Sequence, residues 1–286
     1  MEDGASRPVQ KTRRRRCVFI CVAVCLVVLV VVLAVALALV RRKASSPRQA
    51  PLARKPSDNL KATFTERCEA FKGYNCGKIW DAFTQAYVGR DPCDVPMEAY
   101  DPLIAAAPFK PERDKMMFWS KTEDVVLDLG KRDCCITMKD TLLGSVLDGL
   151  TWCGKKGSKE TFTTDCPGWT GCEKNPVRSF WNRASAAFAD VACGDVTVML
   201  NGDINTPFSS DSIFASIEVK KFSATGVKSL NVILVTQKNP VANCENASLK
   251  DLQKELDGIK YTCKEVAESQ IQECSSKPEK PCGACW

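Results

Sequence analysis

Glu218 is the carboxylate in the least ordinary setting. It lies in Phe214-Ala-Ser-Ile-Glu-Val219, where every other residue is apolar or small. Read as a strand, this run puts Phe214, Ser216 and Glu218 on one face and Ala215, Ile217 and Val219 on the other. A carboxylate near the end of a sheet suits stabilisation of a developing cation. An ordinary solvent-facing glutamate fits the same pattern, and composition alone favours it. Trp181 and Ser185 are spaced to share one face of a helix. A tryptophan at a cleft edge can stack on a flat or cationic ring, although a core position is its commoner use. Trp119 is open to the same two readings. Ser120 and Lys121 directly after it could meet phosphate oxygens, or could simply open a polar strand or helix. Asp148 precedes Gly149 at a predicted helix end, where a negative charge opposes the helix dipole. It is either a plain cap or a charge that solvent or a ligand must compensate.

The other side chains narrow the chemistry. The 286 residues include no histidine. That excludes Ser-His-Asp and Cys-His catalysis, histidine-ligated zinc and imidazole as general base. Of 17 cysteines, three (Cys17, Cys21, Cys25) lie in an apolar N-terminal run and 14 lie between Cys68 and Cys285. Paired CxxC knuckles are absent, and the lone Cys282-Gly-Ala-Cys285 sits at the chain's end. Structural disulfides in an oxidising compartment are the reading, with no metal. No Walker loop or Gly-rich dinucleotide fingerprint is present, so a bound nucleotide would need another device. Asn246-Ala-Ser248 is an N-glycosylation sequon.

Charge is unevenly distributed. Residues 1–60 hold 12 basic and 3 acidic side chains, and the rest hold 28 and 31. The formal +6 therefore belongs to the N-terminal region, and a nucleic-acid partner is not expected. Residues 17–40 carry no charge, with Arg13–Arg16 before them and Arg41, Arg42 and Lys43 after. At about 1.5 Å per residue such a run crosses a ~30 Å hydrocarbon layer. It is too long for the core of a cleaved signal peptide. The expected organisation is a cytoplasmic tail (1–16), a transmembrane signal-anchor (17–40) in the lipid bilayer, a polar, proline-bearing stalk (41–60) and an ectodomain (61–286). Flanking charge is symmetric, so the disulfides set the orientation: a single-pass type II protein of the plasma membrane, C-terminal domain outside.

The elements that must position the candidate residues change character midway. Pro176–Val191 predicts a helix, with Asn175 as N-cap and Val177, Phe180, Trp181, Ala184 and Phe188 at helical spacing. A second helix is predicted from Thr137, in a Thr-x-x-Asp capping box with Asp140, through Leu147. Beyond Cys193 the runs are short and β-branched: Val196–Leu200, Phe214–Val219 and Val232–Thr236, then a helix over Ser248–Ile259. The fold class is α+β: a helical part (about 61–112 and 137–192) and a smaller α/β part (about 113–136 and 193–286) with a short, largely parallel sheet, and room for a cleft between them.

Several segments, in order, resemble the ADP-ribosyl cyclase / cyclic ADP-ribose hydrolase family from about Cys68 to Cys274. They are Asp140-Thr-Leu-Leu-Gly144, Leu150-Thr-Trp-Cys-Gly154, Asn175-Pro-Val, Phe180-Trp181, Val198-Met-Leu-Asn-Gly202 and Ser216-Ile-Glu-Val219. The signal-anchor matches the type II branch rather than the lipid-anchored one. The resemblance implies cleavage of the nicotinamide–ribose bond of NAD to ADP-ribose or cyclic ADP-ribose, with base exchange on NADP and with NAD as substrate rather than cofactor. It assigns Glu218 to the oxocarbenium-like ribosyl centre, Trp119 and Trp181 to stacking on nicotinamide and the ribosyl group, and Asp148 to the nicotinamide amide. Ser120, Ser185 and Phe214 would line the ribose and diphosphate.

The resemblance also pairs Cys68–Cys76, Cys93–Cys172, Cys153–Cys166 and Cys244–Cys263, and Cys274 with Cys282 or Cys285. The sequence departs from the family at Lys139 (usually Glu), Ile213 (usually Thr) and Lys121 (usually Arg). The usual partner of Cys193 is absent, Arg113 standing about there, which leaves Cys134 or Cys135 as a substitute and two cysteines free or paired between chains. Lys139 is expected to alter product partition while Glu218 preserves cleavage. A surface receptor or adhesion protein with weakened catalysis is the alternative, with a homodimer or another surface protein as partner.

Overall fold

The structure, a computed structural model, describes residues 56–286 except 238, 239, 278, 280, 282 and 284. The expected tail, the apolar run at 17–40 and most of the stalk lie outside the described residues. Among the described residues no helix is long and apolar enough to cross a membrane. In chain order come α1 (Pro56–Glu69), α2 (Cys76–Tyr87), α3 (Asp101–Ala106), β1 (Met117–Ser120), α4 (Glu123–Gly130) and α5 (Leu142–Leu147). A hairpin of β2 (Cys153–Gly154) and β3 (Thr161–Phe162) follows, then α6 (Pro176–Asp190), β4 (Gly194–Asn201), β5 (Val227–Thr236), α7 (Ala247–Lys254), β6 (Lys260–Ala267) and α8 (Glu268–Ser275). Helix α1 starts ahead of the expected boundary at Lys61 because Leu60 and Phe64 are both core residues.

Two apolar regions meet at α6. In the helical one, α2 buries Ile79, Phe83 and Tyr87 along one stripe. Phe83 meets Trp152 edge-on, with ring centroids 5.0 Å apart. In the other, β1-β4-β5-β6 form a four-stranded, all-parallel sheet. It is covered on both faces, which is why β4 and β5 read as nearly unbroken apolar runs. Val196, Val198 and Leu200 pack with Phe188 of α6 and Leu249 and Leu252 of α7. Met199, Ile233 and Val235 pack on the opposite side with Val126 of α4 and Ile271 of α8. The α+β architecture with a short parallel sheet therefore holds.

Three local expectations are corrected. Phe214–Val219 is not a strand: Phe214–Glu218 forms a wide π-type turn, continued by a 3-10 turn at Val219–Lys221. Apolar, β-branched composition suggested extension, but the Ser212 hydroxyl accepts from the Ala215 N–H at 3.1 Å and the Ser212 carbonyl from the Ser216 N–H at 2.9 Å, which starts a helical turn. The helix expected from Thr137 is split. The capping box is present, with the Thr137 N–H and hydroxyl both donating to Asp140 Oδ2, but it closes only a 3-10 turn (Met138–Asp140). Thr141 then caps α5 separately. The helix expected over Ser248–Ile259 stops at Lys254, and Leu256 and Ile259 reach the sheet core from the loop that follows.

The bridges Cys68–Cys76, Cys93–Cys172, Cys153–Cys166 and Cys244–Cys263 are present, and Cys274 pairs with Cys285. The pairing of Cys274 with Cys282 is thereby corrected; Cys282 lies outside the described residues. Neither Cys134, which is disulfide-bonded, nor Cys135 replaces the lost partner of Cys193, for Cys135 and Cys193 are both free thiols.

Gly144 is a glycine for steric reasons. A Cβ there would stand 2.0 Å from the Met138 carbonyl oxygen and 2.8 Å from the Lys139 Cα. Gly144→Ala is expected to cost about 1–3 kcal/mol through overpacking, read as a lower urea midpoint at unchanged slope. An unaltered midpoint would mean that the Met138–Lys139 turn gives way freely.

Candidate functional site

A cavity of about 730 Å³ opens at the end of β1, lined by the β1 end, the Met138–Lys139 turn, the Asp148–Thr151 loop after α5, α6 and the Phe214–Glu218 turn. The carboxyl ends of parallel strands are where loops diverge and leave a crevice. Three devices build it. Strand β1 runs parallel to β4 with Trp119 opposite Met199 and Ser120 opposite Leu200, so Trp119, Ser120 and Lys121 arrive at the rim together. Lys121 takes a φ of 58°, an uncommon conformation for a residue with a side chain.

Helix α6 supplies the second device. Val177, Trp181, Ser185 and Phe188 form one stripe along it, and all four face the cavity. Trp181 is half-buried and meets Phe180 edge-on at 5.0 Å. The helix start is fixed from two sides. Trp152 Nε1 donates to the Tyr100 hydroxyl, which donates to the Pro176 carbonyl, each at 2.9 Å. Asn175, fully buried, accepts from the Arg178 N–H through Oδ1 as the expected cap. Its Nδ2 donates to the carbonyls of Gly168, Trp169 and Cys172. One side chain therefore both starts α6 and ties down the loop carrying Trp169.

The third device is the π-type turn, which aims Glu218 inward. Glu218 is 7% exposed, so it is not the solvent-facing residue that composition favoured. Burial pushes its carboxyl up from an ordinary 4.5 to about 8, and the Ser185 hydroxyl bonded to it draws it partly back. Phe214, on the same turn, packs among Phe118, Phe208 and Phe222 and also borders the cavity.

Asp148 borders the cavity at the end of α5, and the compensation for its charge comes from within the chain. Lys139 Nζ lies 2.7 Å from Asp148 Oδ1 and also pairs with Glu123. Arg67 satisfies the helix end itself, donating to the carbonyls of Val146 and Asp148. Burial works to lower the Lys139 ammonium's pKa, but its hydrogen bonds to Asp148 and Glu123 raise it on balance.

All nine expected site residues thus border one cavity. Asn246 does not: it caps α7, accepting from the Ser248 N–H and hydroxyl and donating to the Asn205 carbonyl. Trp169 and Glu123 are among the lining residues that the sequence does not single out. Trp169 is 44% exposed at the mouth, and its signal was a tryptophan between two bridged cysteines, Cys166 and Cys172. Glu123 follows Trp119-Ser-Lys121 closely enough that the next helix's first turn had to face the same space. Among the described residues no group of three or more His, Cys, Asp or Glu could hold a metal ion.

The chain is similar in sequence and in fold to known proteins. A family model described as ADP-ribosyl cyclase matches residues 57–283. A rat protein named ADP-ribosyl cyclase/cyclic ADP-ribose hydrolase 1 is 32% identical over 217 residues, 72% of this chain and 71% of its own length. Porcine CD38 in complex with a covalent intermediate, ribo-F-ribose-5′-phosphate, superposes with a TM-score of 0.69 and 35% identity over 73% of this chain and 96% of that one. Aplysia cyclase in complex with substrate NGD and product cGDPR gives 0.68 and 27% over 77% and 94%.

The raised Glu218 pKa has a consequence for folding. Below pH 4.5 its carboxyl is neutral in both folded and unfolded chains and costs nothing. As pH rises toward about 8 the unfolded chain ionises while the folded one resists, so stability falls, then levels off. Glu218→Gln is expected to melt with the unmutated protein near pH 4.5 and roughly 5 °C or more above it at about pH 9. Equal melting temperatures at the alkaline end would argue against a neutral buried carboxyl.

Proposed function

The chain belongs to the ADP-ribosyl cyclase family and is an enzyme of that class, and from that premise we propose that it breaks the nicotinamide–ribose bond of NAD through Glu218. Nicotinamide leaves as a neutral molecule, taking the bonding electron pair into its ring, so no strong acid is required. What needs stabilising is the oxocarbenium-like ribosyl centre left behind, and a carboxylate in a water-poor wall does this far better than one in solvent. The observation that carries the reading is Glu218, buried yet bordering a cavity that two partly buried tryptophans also line. Trp119 and Trp181 offer flat faces to the pyridinium and the ribosyl group. Ser120, Ser185, Phe214 and Lys121 line the remainder, the ammonium of Lys121 lying at the open rim for diphosphate.

Water at the ribosyl centre gives ADP-ribose, the adenine ring gives cyclic ADP-ribose, and an added pyridine gives base exchange with NAD or NADP. The chain's own residues suffice for these steps, with NAD consumed as substrate. The bridges support an oxidising compartment for this work. With the uncharged run at 17–40 as signal-anchor, the protein is read as a type II ectoenzyme of the plasma membrane. Asn246 is read as glycosylated through its remaining Nδ2 hydrogen. A second reading, a surface receptor with weakened catalysis, is favoured by one observation: Lys139 already occupies the carboxylate of Asp148.

Incubation with NAD and chromatography of the products decides between them. Release of nicotinamide is expected, reduced about 10²–10³-fold in Glu218→Gln. Because Glu218 must be ionised to act and the free protein holds it near 8, kcat/KM is expected to rise with pH toward that value, and this limb should vanish in the variant. No nicotinamide release from the unmutated protein leaves only the receptor reading. For product partition, Lys139→Glu is expected to change the cyclic-to-linear ratio.

A further inference from the structure

Thr122 is the N-cap of α4, yet its hydroxyl makes no capping bond. A threonine there ordinarily accepts from one of the first unpaired N–H groups of its own helix. This one is buried and donates instead to the Met199 carbonyl of β4, at 3.0 Å and 77 residues away. Two residues further along β4, Asn201 Nδ2 donates to the Lys121 carbonyl at 3.2 Å, and its Oδ1 accepts from the Asp203 N–H at 2.8 Å. Both anchors belong to a strand that β5 holds in register, with Met199 opposite Ile233 and Asn201 opposite Val235. The end of β4 thus grips the two residues at which β1 turns into α4.

What the grip holds is an uncomfortable backbone. Lys121 has a φ of 58°, which a lysine keeps only where its surroundings impose it. The residue also stands between two hollows. On one side is the main cavity, and on the other a hollow of about 130 Å³ whose wall includes Asp124, Asp203 and Glu268. Lys121 borders both, whereas Thr122 borders only the smaller one. Carboxylates attract an ammonium, so a turn free to relax would draw Lys121 off the cavity rim.

We infer that Thr122 is a positioning residue: by holding the Met199 carbonyl, with Asn201 as a second tether, it keeps Lys121 at the cavity rim for the diphosphate of a dinucleotide. The inference rests on the NAD-cleaving reading, in which Lys121 is the cation that meets those phosphates. Thr122 acts through Lys121 and takes no part in bond making or breaking.

The test compares NAD with nicotinamide riboside, which has the same scissile bond and no phosphate. Thr122→Val keeps the side-chain shape and removes the donor. It is expected to raise KM for NAD about tenfold with kcat within about twofold, and to leave kcat/KM for the riboside within about twofold. Thr122→Ser, which keeps the hydroxyl, should restore the KM. In a Lys121→Ala background Thr122→Val should add nothing further. Asn201→Ala, a milder change at the second tether, should move KM in the same direction and decides the matter if Thr122→Val fails to fold. Equal losses on both substrates, an unmoved KM for NAD, or full additivity with Lys121→Ala overturns the inference. Quenching of tryptophan fluorescence by ADP-ribose and by nicotinamide, without turnover, separates this failure from that of the cleavage reading. If NAD is never cleaved, weaker binding of ADP-ribose in Thr122→Val with unchanged binding of nicotinamide still upholds the role of Thr122. Unchanged affinity for ADP-ribose overturns it.

Discussion

One helix has to satisfy two cores at once. The first half of α6 places Phe180 and Ala184 among the helices, and its second half places Phe188 and Ala189 against the sheet. Its rotation about its own axis is therefore fixed at both ends. A helix pinned that way turns a further stripe to the cavity, Val177, Trp181 and Ser185, with Phe188 shared between cavity and sheet core. Asn175 adds a third anchor, because its amide holds the Trp169 loop while its oxygen caps the helix. Moving α6 by a fraction of a turn would unpack both cores before it rearranged the site.

The site's electrostatics follow from where the backbone ends. Glu218 is carried on a wide turn that starts from serine hydrogen bonds in the loop after β4, and it is buried, with the Ser185 hydroxyl bonded to it. Isolation from water raises its pKa, and the same isolation strengthens its hold on a positive centre when ionised. At the end of α5 the problem is solved differently. Asp148 stands where a negative charge is disfavoured, and Lys139, which also pairs with Glu123, answers it.

Much of this is legible in the residues. The helical spacing of apolar residues locates α6 and its cap, the near-continuous apolar runs locate β4 and β5, and the motif order brings the expected site residues to one family pattern. The turn at Phe214–Glu218 reads wrongly as a strand because period-2 burial and a short, tight helical turn look alike over so few residues. The break at Thr141 is hidden because one capping box is visible and a second cap directly behind it is not. Trp169 and Glu123 do not stand out because neither has an unusual local sequence; each matters only through what lies opposite it.

The sequence by itself determined the α+β class, the disulfide-rich character, the exclusion of imidazole chemistry and the candidate carboxylate. These depend on composition, spacing and motif order, which are properties of the chain. Only the tertiary structure decided that Cys274 meets Cys285, that Cys135 and Cys193 stay reduced, that Glu218 is buried and that Lys139 answers the charge of Asp148. Burial and pairing are set by residues far away in sequence, and desolvation, which controls both pKa and charge complementarity, exists only once those residues have closed around the group.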